Sequence, residues 1–199
     1  MPSRFKSPLL WVTLAVVVMA ATLPWYVSAY ILGLLTVAYY FGVFAMSWDL
    51  LFGFAGEVNF GPTFLIGVGA YTAGILNARY GIELYLCVGA GALAAVVAGF
   101  VLALPALRLR GPYFGLTTLV AVFILQCFVV VFADFTGGEI GLTIPDVLSI
   151  DAGVNYWIAL GFMVVSGAIL FGLAQSPVGL ILQASGQDPV QAGALGFNI

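Results

Sequence analysis

Residues 53–74 read GFAGEVNFGPTFLIGVGAYTAG, and they set six glycines, Pro62 and the carboxylate of Glu57 inside a run otherwise apolar enough for a membrane. A backbone polar group without a partner in hydrocarbon costs several kcal/mol. Broken helix therefore persists at membrane depth only under a cover of protein or against a water-filled cavity. The stretch is expected to line a passage. The rest of the chain has the composition to match, with 63% hydrophobic and 7% charged residues and a mean hydropathy of +1.18. Soluble domains carry roughly a quarter charged residues. The apolar runs are long enough to cross the ~30 Å hydrocarbon core as helices, whereas barrel strands would alternate polar and apolar over about ten residues. The expected fold is all-α and polytopic.

Six spans are expected, at residues 9–26, 30–48, 62–78, 84–107, 112–133 and 154–174. They make residues 1–175 a transmembrane domain and leave residues 176–199 as a cytoplasmic segment. Trp25 and Trp48 stand where interfacial anchors belong, marking the ends of the first two spans. Pro62 opens the third at its first turn, where a missing N–H has no helical partner to lose. Gly91, Ala95 and Gly99 repeat every four residues on the fourth, a ridge of small residues that admits a neighbouring helix closely. Cys87 and Cys127 lie inside apolar runs and read as packing residues, because a structural metal site wants more ligands and the chain has no histidine. The N-terminal MPSRFKS and its apolar run resemble a signal peptide only at first sight. The run is too long, and Pro24, Trp25 and Tyr26 follow it in place of a small-x-small cleavage site.

Arg4, Lys6, Arg108 and Arg110 fall on one side of six crossings and Arg79 alone on the other. The positive-inside rule then puts the N-terminus, the RLRGP loop and the C-terminal tail in the cytoplasm. The segment 134–153, with Asp134, Glu139, Asp146 and Asp151, faces outward. A net charge of −3 without a basic cluster argues against nucleic acid as a partner. There is no GxxxxGK[ST] loop and no lysine after Lys6, so the chain does not hydrolyse ATP by that mechanism. Zinc hydrolysis and histidine catalysis fall with the missing histidines. The chain reads as no enzyme, with no catalytic residue, metal or cofactor of its own.

The polar groups within or between spans are the candidates for a route: Glu57, Asn59, Tyr71 and Gln126. Glu57 either lines the passage or caps the next helix near the interface, and Asn59 could do the capping through its side-chain oxygen. For Tyr71, Thr117, Thr118 and Gln126 the plainer role is a hydrogen bond between helices or back to their own. Counting crossings from the N-terminus sets Glu57 nearer the inner mouth than the midplane, and makes Gly67, Gly69 and Gly74 packing positions. In the tail, Asp188 and Pro189 match an N-cap and a first helical position and Gly196 a helix stop. About two turns of surface helix are expected there, with Val190, Ala194 and Leu195 as an apolar patch.

Four stretches in succession, SWDLLFGFAGEVNFGPTFLIGVGAYTAG, LRLRGPYFGLTTLVAVFILQ, FTGGEIGLTIP and SPVGLILQASGQDPVQAGALGFN, resemble the LivM-type permease subunits of branched-chain amino acid ABC importers, from about residue 48 to the end. The resemblance implies a permease of the prokaryotic inner membrane. Its partners would be a second permease subunit, two ATPase subunits that bind ATP and Mg²⁺, and an extracytoplasmic substrate-binding protein. It also implies that the tail is the coupling segment that docks on the ATPase, through Gln187, Asp188, Pro189, Ala192, Leu195 and Gly196. The chain departs from that pattern in places. Ser185 stands at a usual arginine, Gly186 and Gly193 at usual acidic positions, Pro189 enters the motif, Pro62 replaces a common histidine, and Val58-Asn59-Phe60 replaces the usual leader. Ending at Ile199, just after the coupling segment, it looks like a truncated copy. Importers of urea or short amides share these motifs. A stand-alone secondary transporter or channel is a different class, for which a second glycine-broken segment in a matching half is expected and not found. A non-transporting remnant that only packs against partners is a third possibility.

Overall fold

The computed structural model describes residues 8–106, 109 and 112–187, and among them it is helical without a strand. The helices are α1 (Pro8–Thr22), α2 (Ala29–Ala55), α3 (Gly61–Tyr80), α4 (Leu84–Ala106), α5 (Pro112–Val131), α6 (Ala133–Thr136), α7 (Ala152–Ala174) and α8 (Pro177–Gln187), with 3₁₀ turns at Leu23–Trp25 and Gly138–Ile140. Each expected span has its helix. Four of them, α2, α4, α5 and α7, are long and apolar enough to cross a membrane, while the first apolar helix is shorter. α3 matches them in length but carries Thr63, Tyr71, Thr72, Asn77 and Arg79.

Two boundaries differ from expectation. α2 runs to Ala55, so Trp48 and Asp49 lie inside it and not at its end. WDLLFGFA holds no residue that stops a helix until Gly56, whose φ of +70° is natural only to glycine. In the tail a helix starts at Pro177, with the Ser176 hydroxyl accepting from Gly179 N at 3.4 Å. Ser-Pro is an N-cap and N1 pair, the same signal read at Asp188-Pro189. The helix expected from Asp188 to Gly196 lies outside the described residues, as do Arg4, Lys6, Arg108 and Arg110.

The chain divides into two compact units, one made of the residues up to Ser47 with Ser149–Gln175, the other of Trp48–Leu148 with the residues from Ser176 on. In the first, Leu32, Tyr156 and Leu160 form a buried core that Ala20, Leu23, Leu35, Tyr39 and Met163 surround. Pro24 has no N–H to give to Ala20 O, and the chain tightens into a 3₁₀ turn beyond it. The Tyr156 hydroxyl donates to that carbonyl at 2.7 Å and Trp157 Nε1 donates to Ala21 O at 3.1 Å. Having spent its one proton, Tyr156 accepts from the Tyr39 hydroxyl at 2.7 Å. Asp151 caps α7, its Oδ1 accepting from Gly153 N at 2.7 Å.

In the second unit α3 and α4 share the main interface. A Cβ on Gly91 would lie 2.5 Å from Gly69 O, and Ala95 and Gly99 continue the contact against Gly69 and Leu65. The small-residue ridge on α4 therefore packs as its spacing predicts. Gly67 meets Leu125 of α5, and Gly74 meets Leu142 and Ile144 of the loop beyond α6, so all three glycines are packing positions.

Candidate functional site

The broken segment is residues 56–60. Gly56 N closes the last turn of α2 by donating to Phe52 O at 3.0 Å, and the helix pattern resumes only at Gly61. Every backbone group set free between the two helices needs another partner, and α2, the segment itself and α5 supply one each for Asn59 O, Gly61 N and Phe60 N. From α2, Trp48 Nε1 donates to Asn59 O at 2.7 Å, its ring stacked on Phe52 with centroids 4.6 Å apart. From the segment itself, Asn59 Oδ1 accepts from Gly61 N at 2.8 Å, which is the capping role expected of it. From α5, the Thr118 hydroxyl accepts from Phe60 N at 3.0 Å while donating to Gly115 O of its own helix at 2.9 Å. Gly115 is buried, and a Cβ there would come within 3.0 Å of Val58 O. Thr118 is 1% exposed, so a hydroxyl fully withdrawn from solvent fixes the start of α3.

Of the four residues predicted to form a route, Asn59 is part of this junction through its carbonyl and its side chain. Glu57 is half-buried beside it, its Oε2 enclosed. Tyr71 is half-buried on α3 and Gln126 exposed on α5, and neither hydrogen-bonds to the segment. Reasoning from sequence passed over Gly115 and read Trp48 only as an interfacial anchor, while Thr118 makes the helix-bonding contacts expected of its hydroxyl. Thr117 behaves as the plainer role predicts, donating to Tyr113 O at 2.9 Å, but its neighbour adds a second bond across to another helix. The available signal was Gly115 and Thr118 three apart on one face of α5, a small residue beside a hydroxyl.

A second polar cluster closes the other end of α3. Gly81, at φ +62°, donates to Asn77 O at 3.0 Å and ends the helix in a left-handed cap. Asn77 is 1% exposed, and its Nδ2 donates to Ile82 O at 2.9 Å and to Asp146 Oδ2 at 2.7 Å. Both partners are acceptors, so the amide nitrogen must face them, and Oδ1 is left buried without a partner. Buried Cys87 donates to the same Ile82 carbonyl at 3.3 Å. Cys127, by contrast, is exposed on α5. The FTGGEIGLTIP loop beside them depends on glycine, with Gly137, Gly138 and Gly141 all at positive φ and the Thr136 hydroxyl accepting from Gly138 N at 3.1 Å. Arg79 reaches the backbone carbonyl of Asp134 and sits 6.0 Å from the Phe135 ring centroid. Among the described residues no group of His, Cys, Asp and Glu is placed to hold a metal ion.

The α8 end of the second unit approaches the same junction. A Cβ on Gly186 would lie 2.2 Å from Phe54 O and 2.9 Å from the carbonyl carbon of Ala55, so bare backbone of α8 rests on the last turn of α2. Gln187 is exposed at the end of α8, and the other predicted coupling residues, Asp188, Pro189, Ala192, Leu195 and Gly196, lie outside the described residues.

Comparison with known proteins adds a pedigree to this geometry. The family model for the permease component of branched-chain amino acid transport systems matches residues 30–199. The high-affinity branched-chain amino acid transport system permease protein LivM of Escherichia coli (strain K12) is 26% identical over 213 residues, covering 92% of this chain and 50% of that protein. The protein of the same name from Salmonella typhimurium (strain LT2) is 26% identical over 214 residues, covering 93% and 50%. The chain thus spans about half the length of the curated relatives it matches. No solved structure matches it significantly.

Proposed function

The chain belongs to the family of branched-chain amino acid transport permease components, and from that premise we propose that it is a membrane-embedded permease subunit of an ATP-driven importer of branched-chain, apolar amino acids. It is a transporter component by family and not an enzyme. In this reading it works with a second permease subunit, two ATPase subunits that bind ATP and Mg²⁺, and an extracytoplasmic binding protein. It lies in the inner membrane with its N-terminus and tail in the cytoplasm. α1 and α3 cross with α2, α4, α5 and α7, and residues 187–196 dock on the ATPase.

The observation that carries the proposal is the junction at residues 56–60. Broken backbone between two long helices is covered by Trp48, Gly115 and Thr118, with Glu57 and Asn59 in the break. A packed, polar break of this kind can change conformation without exposing backbone to lipid, which an alternating route requires. Glu57 and Asn59 then flank the inner mouth, with Tyr71 and Gln126 further along. ATP binding elsewhere biases the equilibrium only as far as the ATPase grips one state more tightly than the other.

The test is reconstitution of the chain with an ATPase pair, a companion permease and a binding protein of a branched-chain amino acid importer from the same source, followed by leucine and urea uptake into proteoliposomes. ATP-dependent leucine uptake is expected. Urea uptake without leucine uptake would move the substrate to short amides, and failure of the chain to associate with the ATPase would sink the importer reading.

A further inference from the structure

α8 follows α7 directly in sequence, yet it packs with the second unit while α7 belongs to the first. Its contact there is backbone on backbone. A Cβ at position 186 would lie 2.2 Å from Phe54 O, 2.9 Å from the Ala55 carbonyl carbon and 3.0 Å from Ala55 Cα, distances that no rotamer change relieves because all three atoms are main chain. The acidic side chain that the resemblance implies at this position has no room. Gly56, the residue whose left-handed conformation ends α2, points its open side toward Gly186 O, with 3.9 Å between that oxygen and a Cβ built on Gly56. From Gly56 to the start of α3 there are only the four residues 57–60, tethered at Asn59 O, at Phe60 N and at Gly61 N. So short and so tethered a link has little slack to absorb a shift of the α2 terminus.

We infer that Gly186 is a positioning residue: by admitting α8 onto the last turn of α2 it holds the 56–60 link in register with Thr118, and a displacement of α8 reaches that link through this contact, not only through the peptide chain of α7. Its transport consequence rests on the permease reading above. The positioning itself does not. Thermodynamic coupling between two sites is reciprocal, so loosening the link must also loosen α8.

The experiment is hydrogen exchange on the full-length chain in lipid nanodiscs. Gly186→Ala is expected to speed exchange of the Phe60 and Gly61 amides about tenfold or more, local opening being the quantity that exchange reads. Gly172→Ala, on α7 with nothing near its added methyl, leaves them unchanged. A folded Gly186→Ala chain with both amides still protected overturns the inference. Should that variant not fold, Thr118→Val decides: faster exchange across residues 180–187 of α8 supports the contact, and unaltered protection of α8 overturns it. In the reconstituted importer, Gly186→Ala is expected to keep ATPase association and ATP turnover while uptake falls about tenfold or more. Undiminished uptake overturns the coupling role. Loss of ATPase association by the unaltered chain would instead break the importer reading and leave the exchange result standing.

Discussion

Each unit contains a short interruption between two long helices, at residues 23–25 in the first and at residues 56–60 in the second, and the freed polar groups find partners of opposite kinds. In the first unit Pro24 withholds a donor, and two large side chains of α7, Tyr156 and Trp157, reach across to the orphaned carbonyls. In the second, glycines let main chain approach main chain: Gly115 at Val58 O, Gly186 at Phe54 O, Gly91 at Gly69 O, with one small hydroxyl on Thr118. A mend made of bulk leaves a hole when it is removed. A mend made of absence fails when anything is added. The first unit should therefore be sensitive to deletion of side-chain atoms and the second to their addition.

The largest effect should come from Tyr156→Ala. Removing a side chain with no exposed surface leaves a cavity and strands both Ala20 O and the Tyr39 hydroxyl, which we expect to cost about 3–5 kcal/mol in detergent-titration unfolding. A loss below about 1 kcal/mol would mean that the first unit does not depend on bulk. Next, Gly91→Ala, a single added methyl aimed at Gly69 O, should destabilise by about 1–3 kcal/mol, and indifference to it would break the opposite half of the contrast.

Thr118→Val removes the hydroxyl but keeps the shape, leaving Phe60 N unpaired, and should cost about 1–2 kcal/mol, with Thr118→Ser restoring most of it. Tyr156→Phe should cost a similar amount, and because the two lie in separate units the double variant should be additive to within about 0.5 kcal/mol, a larger coupling term contradicting independent mends. The smallest effect has the other sign. Gly161→Ala on α7 adds a methyl where nothing lies within 4 Å, and should raise stability by about 0.5–1 kcal/mol through helix propensity, readable as a higher thermal midpoint.

Much of this was legible without coordinates. Gly-rich, Pro-containing sequence in an apolar chain announced the break at residues 53–62, Asn59 announced the cap, and the spacing of Gly91, Ala95 and Gly99 announced a close helix contact. Each is a local rule acting within one turn or one helix face. Where α2 would stop was less legible, because Trp48 resembles an interfacial anchor whereas its indole N–H donates to Asn59 O eleven residues on. Gly186 read as a lost charge and proves to be a steric requirement.

By itself the sequence determined the environment and the helices, since hydrocarbon forces every backbone group to find a partner and leaves helix as the default for apolar runs of this length. It also marked where the default can fail, at Pro24 and in the glycine-rich stretch around Gly56, although Pro105 stays inside α4. Only the tertiary structure decided which groups answer the failures: Tyr156 lies 136 residues from Ala20, and Thr118 lies 58 residues from Phe60. Partners so distant are chosen by which helix faces meet, and several threonines and tyrosines in the chain offered the same chemistry. Packing alone selected among them.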